Sequence, residues 1–238
     1  MKLKILHLYP KEMNLYADHG NVLTLIKRCE WRGIKTEVIE YEPGGKIPDD
    51  IDIIFGGGGQ DSGQETIVKD LPKIAPKLKK LIENGTTTLV ICGLYQLFGN
   101  FFETAGGKSL EGARILNLTT KAGPNRLIGN IVIDSSDFGE VVGYENHSGL
   151  TNLGEGLNPF GTVISGHGNN GEDQTEGARY QNCIGTYLHG PLLPKNPAVA
   201  DFLIREALSR QAKKPIELKP LDDSLELYAH KVAASRPE

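Results

Sequence analysis

The sequence predicts an α/β fold, with a mostly parallel central sheet covered by helices and an antiparallel extension. Three observations carry this. β-rich runs alternate with helical stretches over roughly the first hundred residues, the order that builds βαβ units. The strands in that half are continuously apolar instead of alternating, as expected of a sheet buried on both faces. Beyond about residue 105 the helices give way to short strands between Gly- and Asn-rich turns, which suits antiparallel or mixed pairing that extends the same sheet.

Residues 3–8 read as a strand, and 21–31 as a helix with Val22, Leu25, Ile26 and Cys29 at helical spacing. Gly33 stops that helix. Residues 36–41 are strand-like, and 51–55 form a short apolar run ending in four glycines. Residues 67–82 are helical beyond Pro72, with Ile74, Leu78, Leu81 and Ile82 on one side, and Lys77, Lys79 and Lys80 on a solvated face. Residues 86–91 are a β-branched run, and 94–102 read as the helix that follows it. Short strands are expected at 115–119, 129–133, 141–144, 162–165 and 184–187. A helix over 201–211 has Phe202, Leu203, Ala207 and Leu208 as its apolar side. The expected organisation is one domain over 1–211 and a tail over 212–238, with a short helix near 221–229 and a polar end that frays.

The 238 residues carry a net charge of −4 and are enough to bury a core without disulfides or structural metal. The basic residues are scattered, which excludes the electrostatic footprint of a nucleic-acid binder. The apolar start is too short for a signal peptide. The longest uncharged stretch, 84–102, is broken by Gly85, Gly93, Gln96, Gly99 and Asn100, so membrane insertion is not expected. Cys29, Cys92 and Cys183 form no CxxC pair, and reduced thiols in the cytoplasm are the expectation. His147 and His167 fall in no zinc-ligand spacing, so no metal site is expected.

Two side chains stand at strand ends, where sites gather in open α/β sheets. In Thr88-Leu89-Val90-Ile91-Cys92-Gly93-Leu94-Tyr95-Gln96 an apolar strand runs into a cysteine and a helical segment follows at once. This is the strand–turn–helix of a nucleophile elbow. A helix N-terminus behind the sulfur favours the reactive thiolate. The competing reading is a small buried hydrophobe, as most free cysteines are. His189, in Gly185-Thr186-Tyr187-Leu188-His189-Gly190-Pro191, ends another strand, and histidine is the usual base for a thiol. Alone it would be an ordinary histidine; together with Cys92 it reads as the base.

Gly56-Gly57-Gly58-Gly59 follows a strand and lets backbone N–H groups approach a developing anion. Gly58 N–H and Gly93 N–H are the candidate oxyanion donors. No Lys-Ser/Thr follows, so the run is not a phosphate loop. Arg126, in Gly123-Pro124-Asn125-Arg126-Leu127, either pairs with a substrate carboxylate or lies idle on a surface loop. Tyr144-Glu145-Asn146-His147-Ser148-Gly149 is a polar cluster that either binds a ligand or caps a turn.

Taken together, Cys92-Gly93-Leu94-Tyr95-Gln96, Glu145-Asn146-His147-Ser148-Gly149 and Gly185-Thr186-Tyr187-Leu188-His189-Gly190 resemble the glutaminase domains of the cobyric acid synthase type, within the class I amidotransferases. Asn14-Leu15-Tyr16-Ala17-Asp18-His19-Gly20-Asn21 and Gly57-Gly58-Gly59-Gln60-Asp61 narrow this to the glutaminase subunits of lipid II isoglutaminyl synthases. The similarity runs over about residues 3–208, at the length of one such domain. It implies a three-layer α/β/α class I glutaminase fold and a heterodimer with a MurT-like partner of the Mur ligase family. Ammonia taken from L-glutamine would there amidate D-glutamate of the lipid-linked stem peptide. It implies Cys92 as nucleophile, His189 as base, Gln96 and Arg126 on the glutamine, and Gly58 and Gly93 as oxyanion donors. No cofactor is implied for this chain; ATP with Mg, and any zinc, fall to the partner.

Two departures from the wider class stand out. Val90 and Leu94 replace the glycines that commonly flank the elbow cysteine. Pro191 replaces the glutamate of His-x-Glu that orients the histidine, a loss the cobyric-acid branch tolerates. The partner, or a local acid such as Glu145 or Asp18, is then expected to orient His189. Competing functions are the glutaminase component of a cobyric-acid-type or other synthetase, a non-catalytic interaction subunit of the same fold, and a cysteine peptidase. A glutamine analogue that labels the thiol separates the glutaminases from the last two.

Overall fold

The alternation read from the sequence folds into two sheets. The computed structural model describes residues 1–59 and 61–236; Gln60 of the glycine-loop motif and the last two residues of the tail, where fraying is expected, lie outside them. The first half runs β1 (Lys2–Leu8), α1 (His19–Glu30), β2 (Lys35–Tyr41), β3 (Ile53–Gly56), α2 (Asp61–Ile67), α3 (Leu71–Glu83), β4 (Thr87–Ile91) and α4 (Gly93–Leu97). The second half runs β5 (Phe101–Glu103), β6 (Ser109–Glu111), β7 (Leu118–Ser135), β8 (Gly139–Leu153), β9 (Gly161–Ser165), β10 (Thr175–Glu176), β11 (Ala178–Tyr180), β12 (Cys183–Thr186), α5 (Pro197–Ala212) and α6 (Ser224–Ala234).

In the first sheet the order is β2-β1-β3-β4-β12, all parallel, with β11 antiparallel at one edge. Every residue of β3 and β4 is buried, which is why these runs read as continuously apolar or β-branched. The crossover through α1 steps one way along the sheet and the crossover through α3 steps the other. Right-handed crossovers therefore put α1 and α3 on opposite faces. Helix α5 packs on α1, so the sheet is covered on both sides in three layers. The buried stripes are Val22, Leu25 and Cys29 on α1 and Leu71, Ala75, Leu78, Leu81 and Ile82 on α3. Each fully buried Leu or Ile contributes about 1.5–3 kcal/mol of burial free energy.

The antiparallel strands, expected as an extension of that sheet, form a second one in the order β10-β9-β7-β5-β6, with β8 paired to β7. The two sheets meet where Tyr144 and His189 exchange backbone hydrogen bonds of 3.2 and 2.8 Å. Strands β7 and β8 are longer than the sequence pattern shows, because their pairing runs through an irregularity between Ala122 and Leu127. Pro124 has no N–H to give a ladder, so the pairing pauses there and resumes beyond it.

The helix expected over 94–102 is shorter. Helix α4 ends at Leu97, and Phe101–Glu103 joins β7 as a strand. At Gly99 a side chain would collide with Leu118, and Asn100 N–H donates to Leu118 O at 2.8 Å. Pairing with β7 overrides the local helical pattern. The tail is likewise held. Buried Arg28 donates to Asp201 (2.7 and 2.9 Å) and to Asp223 (2.6 and 3.1 Å), tying α1 to α5 and to the start of α6. Helix α6 begins and ends later than the 221–229 expected, and His230 Nδ1–H donates to Lys195 O at 2.8 Å.

Candidate active site

Strands β1, β3, β4 and β12 end side by side at one edge of the first sheet, and the strand order reverses between β1 and β3. Ligands of open α/β sheets bind outside such a switch point. The loop after β1 carries Asp18, the loop after β3 carries Gly57 to Gly59, β4 runs into Cys92, and His189 lies just past β12. Residues far apart in sequence therefore meet because parallel strands end together.

Cys92 has φ 49° and ψ −103°, a conformation a side-chain-bearing residue rarely adopts. It is pinned from both sides: its N–H donates to Thr186 O at 2.8 Å and its C=O accepts Gln96 N–H at 2.9 Å. Leu94, two residues on, does not spoil the elbow, because its side chain fills the space that a side chain on Gly56 would need. The glycine loop closes on the same point. A Cβ on Gly58 would lie 2.6 Å from His189 Cε1 and 3.3 Å from Cys92 Cβ, and one on Gly93 would lie 3.0 Å from Gly59 N. Only glycine fits at either position.

His189 is fully buried, with Nδ1 3.2 Å from Asp18 Oδ1. An ionised carboxylate only accepts, so Nδ1 carries the proton and Nε2 is left for Cys92. Burial alone would lower the histidine's pKa. The negative charge of Cys92, the hydrogen bonds to Asp18 and Cys92, and the charge of Asp18 overcome this and raise it to about 10. The other two cysteines have no such setting. Burial pushes the Cys29 and Cys183 thiols up to about 12 and leaves them inert.

Asp18 also changes the role of Gly58. Its Oδ2 accepts Gly58 N–H at 2.7 Å, so the amide expected as an oxyanion donor is engaged by a carboxylate. Gln96 is buried one turn after Cys92. Its Oε1 accepts Gln64 Nε2–H at 2.7 Å, and its Nε2–H donates to Tyr187 OH at 3.2 Å. Tyr187 OH in turn bonds Thr151 Oγ1 at 2.6 Å. This floor of amides and hydroxyls was not legible in the sequence beyond Gln96, since Gln64, Tyr187 and Thr151 come from three separate elements.

Arg126 is exposed, and its guanidinium grips Asn146 through Oδ1 at 2.9 Å and the backbone O at 3.1 Å. Asn146 lies two residues from Tyr144, whose backbone pairs with His189. Strand β8 thus brings Arg126 to the same end of the molecule. Glu145 does not orient His189. Its carboxylate accepts His167 N–H (2.7 Å), His167 Nδ1–H (3.0 Å) and Gly168 N–H (2.9 Å). Among the described residues no three His, Cys, Asp or Glu side chains converge as a metal site needs, and no helix is long and apolar enough to cross a membrane.

A family model for the CobB/CobQ-like glutamine amidotransferase domain matches residues 4–197. A Staphylococcus aureus protein, the glutamine-hydrolysing subunit GatD of lipid II isoglutaminyl synthase, is 44% identical over 99% of this chain and 96% of its own. The Streptococcus pneumoniae subunit of the same name is 38% identical over 94% of this chain and 87% of its own. The structure of PurLQS from Thermotoga maritima superposes with a TM-score of 0.55 at 16% identity, covering 86% of this chain and 98% of that one, and shares the fold. Matched in sequence over nearly its whole length, the chain belongs to the CobB/CobQ-like glutamine amidotransferase family, on the branch of the GatD subunits.

Proposed function

We propose that this chain hydrolyses L-glutamine through a Cys92 thioester. In this reading it works in the cytoplasm and supplies the ammonia to a MurT-like partner of the Mur ligase family. That partner, with ATP and Mg, amidates D-glutamate of lipid II to D-isoglutamine. The single observation that carries the reading is the strained elbow at Cys92, closed over by glycines and faced by buried His189. The likeness to the two GatD subunits supports the partner and the acceptor.

The steps follow from the geometry. His189 Nε2 holds the proton that Sγ has given up, as its raised pKa favours, and the thiolate attacks the carboxamide carbon of glutamine. The carbonyl oxygen becomes an oxyanion that Gly93 N–H and the glycine loop receive in this reading; Gly58 N–H serves only if it leaves Asp18. The C–N bond breaks as His189 returns its proton to the departing ammonia. Water, deprotonated by His189, then attacks the thioester, and glutamate leaves as the sulfur takes back a proton. Arg126 pairs with the glutamine α-carboxylate, and Gln96 sets the floor beneath the substrate.

The test measures ammonia release from glutamine by the purified chain, by Cys92→Ala, and by the chain reconstituted with its synthetase. Release by the first that is lost in the second supports the glutaminase. Transfer of amide nitrogen from glutamine to lipid II in the reconstituted pair supports the coupling. Full activity of Cys92→Ala would remove the central claim.

A further inference from the structure

We propose that Asp18 is the positioning residue of this site: the acid missing at Pro191 is supplied from the loop between β1 and α1, and it sets the histidine and the glycine loop together. The inference deepens the glutaminase reading and rests on it. Both oxygens of this fully buried carboxylate are engaged, Oδ1 with His189 Nδ1 at 3.2 Å and Oδ2 with Gly58 N–H at 2.7 Å. A buried carboxylate is costly unless donors surround it, so the arrangement is built rather than incidental.

The loop that brings Asp18 is docked on the segment that follows His189. A Cβ on Gly20 would fall 2.6 Å from Pro191 Cγ, so the proline packs flat on a glycine. Asn21 Oδ1 accepts Leu193 N–H at 2.8 Å, while Asn21 Nδ2–H donates back to Asp18 O at 3.0 Å. Pro191 therefore does not leave a vacancy. It seats the loop whose next side chain but one is the acid.

Two consequences follow. The carboxylate fixes the tautomer that leaves Nε2 facing Cys92, and it stabilises the imidazolium formed when the thiol gives up its proton. It also holds Gly58, whose backbone lies against both His189 and Cys92, so one charge keeps base and glycine loop in register. Cys92 faces the imidazole from the elbow and Gly58 from the loop, while Tyr144 reaches it through backbone atoms. Lys195 Nζ donates to Gly190 O at 2.8 Å. His19, beside Asp18, stacks on His7 at 5.5 Å. Burial, and then His19, push His7 down to about 4, so it stays neutral.

The experiment follows the His189 ring by NMR in the full chain carrying Cys92→Ala, where no thiolate confuses the titration. Neutral His189 is expected as the Nδ1–H tautomer, and Asp18→Asn in that background is expected to lower its titration by about one unit or more. In the Cys92 chain, Asp18→Asn is expected to cut kcat about 10–100-fold with KM within about threefold, and Asp18→Glu to restore part of it. An Nε2–H tautomer overturns the proposal without any Asp18 variant, so a variant that does not fold leaves it tested. An unmoved titration in a folded Asp18→Asn also overturns it. The titration needs no turnover: a chain that shows the shift yet releases no ammonia, alone or reconstituted, would sink the glutaminase reading and leave this one standing.

Discussion

Two buried carboxylates in this protein are built from the same parts, and only one of them stands beside a nucleophile. Asp18 holds one backbone amide and one imidazole, those of Gly58 and His189. Glu145 holds the amides of His167 and Gly168 and the ring of His167, with His147 Nε2 at 3.7 Å, longer than a hydrogen bond. The difference lies on the far side of the rings. His189 is enclosed and faces Cys92, whereas the His167 side chain is 42% exposed. The His147 ring lies flat on Tyr187 at 3.5 Å and gives Nδ1–H to Gly149 O at 2.7 Å. A carboxylate–histidine pair in the body of a strand is a clamp. The same pair at the end of parallel strands, with a thiol on an elbow opposite, has the parts of a base.

That contrast predicts effects of very different size. The largest belongs to Cys92: replacing it with alanine is expected to lower ammonia release by three or more orders of magnitude, in the range of about 10³–10⁶-fold seen when a covalent nucleophile is lost. Cys29→Ala and Cys183→Ala, measured in the same coupled ammonia assay, should retain activity because neither sulfur is reactive or near the site. Loss of activity in either, without loss of folding, would mean the elbow is not the source of reactivity.

Arg126→Ala comes next. The arginine already spends two donors on Asn146, which fixes its fork in place before substrate arrives. Removing a charge-assisted pair to the glutamine α-carboxylate should lower kcat/KM by about 2–3 kcal/mol or less, seen as a higher KM, with the melting temperature unchanged. Glutamine kinetics beside a melting curve check it. An unchanged kcat/KM would remove Arg126 from the site.

The two carboxylates also mark how far the sequence could be read. Cys92, His189 and the four glycines were legible because each sits at the end of an apolar run, and such a run fixes where a parallel strand stops. Asp18 was visible only as one of two candidate acids. Its loop has no apolar periodicity to fix where it lies, and its value depends on Gly20 packing on Pro191 across the molecule. The buried polar floor under Gln96 was hidden for the same reason. The strands of the second sheet read as fragments because Pro124 interrupts a pairing that the backbone resumes, and the helix after Cys92 read long because nothing local announces Leu118 against Gly99.

The smallest effect sharpens the comparison from the other side. Burial pushes the Glu145 carboxyl up, but the neighbouring His147 ring, together with hydrogen bonds from the amide and ring of His167 and from the Gly168 amide, holds it below its ordinary value of 4.5. A carboxyl whose folded pKa is depressed contributes stability that is present above the unfolded value and lost as the pH falls through the folded one. Unfolding free energy should therefore drop on acidification below about pH 4.5, and this drop should be shallower in Glu145→Gln. At neutral pH the same variant sets an amide N–H against a donor that needs an acceptor, at an expected cost of about 1–3 kcal/mol. Its kcat in the folded protein should stay within about threefold of the parent, because the group acts on fold and not on the base. Urea unfolding at pH 3.5 and pH 7, run beside ammonia release, reads both quantities. A Glu145→Gln chain as stable as the parent but crippled in kcat would mean that the roles of the two carboxylates have been assigned the wrong way round.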